Sequence, residues 1–391
     1  MTAKKIQECL PVAPMRFIAT RGSEELGSKI NEHLVEMRQE RIDHKEIINT
    51  HIEGYIRDDY RVKYECPRFG SGEGKATIKE SIRGTDLYIL TDVFNHSNEY
   101  RISNNVNNTS PDDMYQDLKR IIAATCGTVH RINVIMPMLY EGRQHRRTML
   151  ESLDCAIMLQ ELEQMGMENI ITFDAHDPRV QNAIPIRGFD NFFTSYQFMA
   201  SILEKYPDIV TDSDHLMMIS PDEGGMSRSV YYANILGIDM GMFYKRRDYS
   251  VVVDGRNPIV AHEFLGNSVE GKDVIIVDDM ISSGESMLDV AYELKKRRAK
   301  RIFVATTFGL FNKGLESFDR YYEEGVFDHI FTTNLTYTPP EVLERPYYTQ
   351  VDLSKYIALI IDTLNHDTSV NDIMNPTQRI HEMLQKRDLK K

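Results

Sequence analysis

The sequence predicts an α/β protein made of two copies of one domain, each a mostly parallel sheet flanked by helices. Three observations carry this. Short β-branched runs alternate with stretches of helical periodicity, the βαβα rhythm of a parallel sheet covered on both faces. The chain also repeats itself. Gly84-Thr-Asp86-Leu-Tyr-Ile89-Leu-Thr-Asp92 aligns with Gly271-Lys-Asp273-Val-Ile-Ile276-Val-Asp-Asp279, 187 residues later, and Arg131-Ile132-Asn-Val134 aligns with Arg301-Ile302-Phe-Val304, 170 residues later. Third, within 271–298 a strand, two acids, a small-residue turn and a helix follow one another without a gap.

In order, residues 15–20 read as a first strand and 24–39 as a helix with Leu26, Ile30 and Leu34 on one side. The charge-rich residues 40–66 read as an added helix or hairpin. A strand follows at 87–90, then a polar Asn/Ser-rich loop at 95–113 with Pro111 near a helix start. Residues 114–125 read as helix, 132–136 as strand, 150–165 as a long helix, and 170–173 and 216–219 as strands. The repeat offsets of 187 and 170 differ by 17, so the first copy carries about that many extra residues, and 95–113 is where they fit.

Composition bounds the function. With 391 residues, 41% apolar and 27% charged, the chain can bury two ordinary cores. A net charge of −13 argues against nucleic acid or an anionic membrane as partner, while small anions remain open because they respond to local positive clusters. Cys9, Cys66, Cys126 and Cys155 are far apart and lack metal-ligand spacing, which suits reduced thiols in a cytosol. The first residues lack the apolar core of a signal peptide, and no apolar run is long enough to cross a bilayer. A cytoplasmic protein is expected.

The stretch 271–298 is the most informative. Residues 274–277 suit a strand buried on both faces. Asp278 and Asp279 follow, then Ser282-Ser283-Gly284-Glu285-Ser286, then Met287, Val290, Ala291 and Leu294 at the spacing of one helix face. Backbone N–H groups and the positive helix end of such a unit receive a phosphate, and the carboxylates accept hydrogen bonds from sugar hydroxyls. The competing reading is an ordinary βα turn. In the first copy the loop is replaced by Val93-Phe-Asn-His-Ser, so only the second copy keeps a sugar-phosphate pocket.

Three further constellations sit at strand ends, where open α/β sheets place ligands. Asp174-Ala-His176 follows one strand, with His176 either a ligand or a structural imidazole. Ser220-Pro-Asp222-Glu-Gly224-Gly225 follows another. Its glycines let N–H groups approach an anion, and its acids suit a divalent cation, unless it is a plain tight turn. Arg143-Gln144-His145-Arg-Arg147 and Lys245-Arg-Arg247 are basic clusters that suit a polyphosphate or are solvated surface.

The order of these motifs resembles the ribose-phosphate pyrophosphokinase family, which makes phosphoribosyl pyrophosphate (PRPP) from ATP and ribose 5-phosphate. The resemblance rests on Arg68-Phe69-Gly-Ser71-Gly-Glu73, Arg83-Gly84, Arg143-Gln144, Asp174-Ala-His176, the Ser220–Gly225 segment, Lys245-Arg-Arg247, the Asp278–Gly284 segment and Val351-Asp352-Leu-Ser354, over about residues 15–365. It implies two phosphoribosyltransferase-like domains. The first spans 1–185, with ATP contacts and a degenerate phosphate loop, and 350–391 packs back on it; the second, 186–349, carries the ribose 5-phosphate loop. It also implies catalytic roles for Lys245 and Arg247, and ATP contacts at Phe69, Ser71, Glu73, Arg143 and Gln144. Asp278, Asp279, Ser282, Ser283, Gly284, Glu285 and Ser286 become the ribose 5-phosphate site. Asp222, Gly224 and Gly225 become a diphosphate loop, and His176 and Asp222 ligands of Mg²⁺. Assembly as a homo-oligomer, dimer or hexamer, is implied as well.

The chain departs from that pattern in places. Glu285 stands where the family has glycine, and Ser71, His145 and Ser282 stand where it has aspartate. A carboxylate at 285 repels a phosphate unless it points away, and a positive φ there would strain any residue but glycine. Residues 40–66, 95–113 and 186–215 look like insertions, and the tail beyond Thr368 is longer than usual. An active diphosphotransferase is the first reading. A non-catalytic nucleotide- or PRPP-binding paralogue is the second, and a PRPP-consuming phosphoribosyltransferase the third.

Overall fold

A computed structural model describes residues 9–43, 52–247 and 259–389; the side chains of 42–43, 245–247, 259–262 and 388 lie outside that description. Five parallel strands form a first sheet, in the spatial order β1 (Met15–Ala19), β2 (Asp86–Leu90), β3 (Arg131–Ile135), β4 (Asn169–Phe173) and β5 (Gly188–Phe192). The apolar runs at β2 and β4 are buried at every residue, as expected of strands covered on both faces. The second sheet uses β6 (Leu216–Ser220), β7 (Asp239–Arg247), β8 (Ile259–Leu265), β9 (Asp273–Ile281), β10 (Arg301–Gly309), β11 (His329–Thr333) and β12 (Tyr348–Val351). Their order is β8-β7-β6-β9-β10-β11-β12, parallel except for the β7–β8 pair.

The internal repeat is visible in the register. Asp86 pairs with Arg131 across β2–β3, and Asp273 pairs with Arg301 across β9–β10. In both sheets the arginine forks onto the aspartate. Arg131 reaches Asp86 through two bonds of 2.8 Å, and Arg301 reaches Asp273 at 2.9 and 2.7 Å. A bidentate pair of this kind fixes both orientation and strand register. The charge pattern of the repeat is therefore a structural device at the amino end of each sheet.

Several elements differ from expectation for identifiable reasons. Helix α1 (Glu24–Asp43) runs past residue 39, because Arg38 and Arg41 in its last turns pair with the buried Asp362 of a helix at Ser354–Asn365. In the rest of 40–66, residues 44–51 lie outside the described set, and Tyr64–Glu65 makes a short antiparallel pair with Thr77–Ile78. The 95–113 segment is not a plain loop. It contains a hairpin, Glu99–Ile102 against Asn105–Asn108, turning on Ser103 and Asn104 with φ of 47° and 70°. Two left-handed residues give the turn type whose twist matches paired strands. Helix α2 (Pro111–Ala124) starts at Pro111 rather than 114, because Ser110 and Asp113 form a reciprocal capping box. Helix α3 (Asp154–Gln164) starts at 154 rather than 150, since Glu151 is engaged by the N–H and hydroxyl of Thr148. Residues 186–215 hold edge strand β5 and helix α4 (Ser195–Lys205).

The chain divides into two compact units. One comprises 1–193, 334–337 and 352–375, the other 194–333, 338–351 and 376–391. The tail expected to pack back on the first domain is thus shared, with 376–391 belonging to the second unit. There, His381 in the helix Thr377–Asp388 bonds the Ile235 carbonyl at 2.7 Å. Each unit has its own apolar cluster, built on Ile18, Leu87, Ile89 and Leu118 in the first and on Ile276, Phe311 and Phe318 in the second. The four cysteines are unbridged. Among the described residues no helix is long and apolar enough to cross a membrane.

Candidate active site

Strand order singles out one end of the second sheet. After β6 the chain passes through α5 (Met226–Leu236) to β7 on one side, while β9 lies on the other side of β6. Open α/β sheets bind ligands in the crevice left beyond the carboxyl ends of strands whose connections diverge in this way. The first sheet has no such point, because its strands follow one another in a single direction from β1 to β5.

One wall of the crevice is the turn after β6. Buried Ser220 donates its hydroxyl to the Asp222 carbonyl at 2.7 Å. Asp222 Oδ1 accepts the N–H groups of Gly224 (2.9 Å) and Gly225 (3.2 Å), so the paired glycines already present their donors to a carboxylate. Gly225 leads directly into α5 and must be small: a Cβ there would lie 2.9 Å from Ser220 Oγ and 3.5 Å from Asp278 Oδ1. The turn and the second wall are in contact at this point.

The second wall is β9 and its loop. The strand does not end at Val277 but runs through both acids to Ile281, pairing Asp278 with Thr306 and Ile281 with Gly309. Alternation along a strand sends Asp278 and Asp279 to opposite faces. Arg228 of α5 approaches Asp278 at 3.5 Å, and the Asp279 N–H donates to Asp278 Oδ1 at 2.9 Å. Burial lifts the Asp278 carboxyl well above the usual carboxylate range, the Asp279 charge adds to this, Arg228 opposes it, and Asp222 contributes further repulsion. Ser282, Ser283 and Gly284 then turn the chain into α6 (Glu285–Lys296), with Gly284 left-handed at φ 82°. A Cβ on Gly284 would meet the Phe318 ring at 2.0 Å. Glu285 is the first helical residue, not the left-handed one, so the strain considered for it does not arise; its carboxylate meets Lys313 Nζ at 2.8 Å. Ser286 lies exposed in the same first turn.

Lys245 and Arg247 belong to β7 itself rather than to a loop after it. The last pairing of β7 with β6 is Met242 opposite Ser220, and the strand continues to Arg247 against β8 with an irregularity between Arg246 and Arg247. Their backbone therefore extends beyond the carboxyl end of β6. Their side chains are outside the described residues.

The first unit holds the other expected residues. Phe69 projects from a turn braced at both ends: its N–H donates to Glu73 O (2.8 Å), and Arg68 forks onto Asp117 at 2.5 and 2.9 Å. The ring is 53% exposed, an aromatic face held out to solvent on a fixed support. Ser71 Oγ bonds Glu73 Oε2 at 2.9 Å beside it. Arg143 and Gln144 are exposed on a turn in which Glu141 has φ 53°. The next residue, His145, has its ring 5.3 Å from that of His176 and its Nε2 3.6 Å from Asp177 Oδ2. Asp174, preceding His176 by two, is buried at φ 45°. Left-handed geometry at a buried non-glycine residue is a cost that tends to persist at functional turns.

Asp92 is the repeat equivalent of Asp279. It is buried, accepts the N–H groups of Phe94 (3.0 Å) and Tyr337 (2.8 Å), and burial pushes its carboxyl up to about 7 despite those bonds. The acid ties its own loop at Phe94 to the remote segment at Tyr337.

In the second unit the Asp222–Gly225 turn thus adjoins Asp278, and the 282–286 turn follows at the end of the same strand. The first unit places Phe69 with Ser71 and Glu73, and the 143–145 turn beside His176. His176 and Asp222, expected as ligands of one cation, fall in different units. Sequence reasoning missed Arg228, Asn312 and Lys313. Arg228 lies one helical turn past Gly225, a signal that was available; the other two follow β10, with no motif to mark them.

These features have counterparts in known proteins. The family model for the N-terminal domain of ribose phosphate pyrophosphokinase matches residues 15–166, and the phosphoribosyl transferase domain model matches residues 198–345. Ribose-phosphate pyrophosphokinase of Vibrio parahaemolyticus is 26% identical over 311 residues, covering 79% of this chain and 90% of its own. The same-named protein of Mycoplasma genitalium is 28% identical over 274 residues, 70% of this chain and 75% of its own. Phosphoribosylpyrophosphate synthetase from Mycobacterium smegmatis superposes with a TM-score of 0.68 at 19% identity over 90% of this chain and 98% of its own, a likeness of fold. With both domain models matched in order and the repeat carried into the two sheets, the chain belongs to the ribose-phosphate pyrophosphokinase family of diphosphotransferases.

Proposed function

We propose that the protein transfers the diphosphoryl group of ATP to the anomeric hydroxyl of ribose 5-phosphate, giving PRPP and AMP for nucleotide synthesis. The observation that carries this is the crevice at the β6/β9 divergence, where a half-buried carboxylate, Asp278, stands between a glycine turn and the start of a helix. In this reading Asp278 accepts hydrogen bonds from ribose hydroxyls, Asp279 on the other face acts through its charge on Asp278, and Ser282, Ser283, Gly284 and Ser286 receive the 5-phosphate at the positive end of α6. Phe69 stacks the adenine, with Ser71, Glu73, Arg143 and Gln144 as its polar contacts. Asp222, Gly224 and Gly225 form the diphosphate loop, in which the Asp222 carboxylate yields its two N–H donors to the incoming anion.

The attack is on the β-phosphorus, so bond formation from the sugar oxygen accompanies cleavage of the bond to the AMP oxygen. Catalysis of such transfer is largely alignment and neutralisation of charge on non-bridging oxygens. Lys245 and Arg247 supply positive charge. The residues present also fit a divalent cation of the Mg²⁺ kind. Asp278 is held high by burial and by two neighbouring carboxylates, and an added cation would relieve that repulsion. Among the described residues no three His, Cys, Asp or Glu side chains group to hold a metal. Mg²⁺ is typically bound through one or two carboxylates plus substrate phosphates. Asp222 is the better-suited oxygen donor, and His176 the softer second candidate. When bound, the ion would neutralise charge on the transferring group.

Assembly as a homo-oligomer, dimer or hexamer, and a cytoplasmic setting belong to the same reading; sedimentation of the purified chain tests the first. Incubation with ATP, ribose 5-phosphate and Mg²⁺ tests the activity. Failure to form AMP while ribose 5-phosphate still binds would assign the chain a regulatory, nucleotide- or PRPP-binding role.

A further inference from the structure

The connection after β10 reaches back onto the loop after β9 at three successive points. Leu310 N–H donates to Ile281 O at 2.8 Å, and Asn312 N–H donates to Ser282 O at 3.0 Å. The Asn312 amide also donates to Ser282 Oγ at 3.2 Å, and Lys313 Nζ donates to Glu285 Oε1 at 2.8 Å. Phe311, left-handed at φ 47°, turns its ring into the core against Phe318 with centroids 5.3 Å apart. That anchor fixes the residues on either side of it. Asn312 and Lys313, though exposed, therefore lie against the turn that leads into α6.

The charge arrangement at that turn needs an explanation. Glu285 is the first residue of α6, and a carboxylate at a helix N-terminus takes the same favourable position as a phosphate. Left alone, it would repel a sugar phosphate arriving at the 282–286 turn. Side chains 285 and 313 are 66% and 65% exposed, and ion pairs so exposed add little to fold stability. What the pair changes is the charge presented at the turn.

We propose that Lys313 is a specificity-determining residue of the ribose 5-phosphate turn: it cancels the Glu285 carboxylate, so that the turn meets the 5-phosphate without that negative charge. The pair, taken together, stands in for a small neutral residue in the turn. This inference rests on the reading of 282–286 as the ribose 5-phosphate site.

Kinetics and direct calorimetric titration with ribose 5-phosphate on the full chain test it. Lys313→Met exposes an uncompensated carboxylate next to a dianion, so the KM and Kd for ribose 5-phosphate rise about tenfold or more, while the KM for ATP stays within about twofold. Glu285→Gln added to Lys313→Met brings the ribose 5-phosphate constants back to within about threefold of wild type. Lys313→Arg holds them near wild type. Equal affinity of wild type and Lys313→Met overturns the inference alone. So does a double variant that stays as weak as Lys313→Met, because removal of the carboxylate then changes nothing. A wild-type chain that fails to bind ribose 5-phosphate overturns the functional reading, and this inference with it.

Discussion

Replacing Gly284 by alanine tests whether the turn into α6 is as constrained as its geometry implies. Gly284 has φ 82°, and an added Cβ would lie 2.0 Å from Phe318 Cζ, 2.7 Å from Cε2 and 3.0 Å from Cε1. Phe318 is fully buried and packs edge-on against Phe311, so the ring has little room to retreat. Two costs add. An L-residue held left-handed costs roughly 1–2 kcal/mol, and forcing extra volume into a packed core costs roughly 1–3 kcal/mol. The total, about 2–5 kcal/mol, is a large part of the 5–15 kcal/mol by which domains are typically stable. For a unit of this size that corresponds to a Tm lower by about 5–15 °C. Thermal unfolding followed by circular dichroism measures it. Shortening the obstruction with Phe318→Leu in the Gly284→Ala background should recover the steric part and leave the backbone part. A Tm within about 1 °C of wild type would refute the reasoning, since neither the left-handed geometry nor the ring contact could then be as described.

Other outcomes follow from the same structure. Arg301→Met strands the buried Asp273 carboxylate and should cost about 3 kcal/mol or more in urea unfolding. Arg131→Met should cost less, because Asp86 keeps Tyr88, Asn133 and Asn365 as donors; equal losses would argue against this account of the pairs. Burial alone would raise the Asp362 carboxyl, but Arg41 and Arg38 hold it at about 2, below its ordinary 3.8. A depressed carboxylate stabilises above the unfolded value, so about 2 kcal/mol is lost as the pH falls from 5 to 2, and Asp362→Asn should lack that acid-dependent part. Lys245→Ala should lower AMP formation at least 100-fold while ATP binding stays within a few-fold; undiminished turnover removes its charge-neutralising role.

Much of this architecture could be read from residue patterns. The apolar runs at 87–90, 170–173 and 216–219 are buried strands, and the two aligned segments occupy equivalent registers down to the Asp–Arg forks. What escaped depends on contacts remote in sequence. Lys245-Arg-Arg247 looked like a basic cluster after a strand, because nothing local says that β7 continues against β8 once β6 has ended. The Ser103-Asn104 turn was hidden in a segment whose composition suggests only a loop. Asp222 offered a cation ligand by residue type, yet its Oδ1 is committed to two N–H groups of its own turn. Glu285 was the least comfortable residue of the sugar-phosphate motif. Its partner Lys313 becomes visible only when β9 and β10 are paired and their following loops meet.

The central claim is transfer of a diphosphoryl group to the anomeric oxygen, and product analysis tests it most directly. Purified protein incubated with ATP, ribose 5-phosphate and Mg²⁺ and followed by ³¹P NMR should yield AMP and PRPP in equal amounts. ADP with a ribose bisphosphate would contradict the account, because attack would then be at the γ-phosphorus. Neither product, with both substrates bound, would contradict it as well.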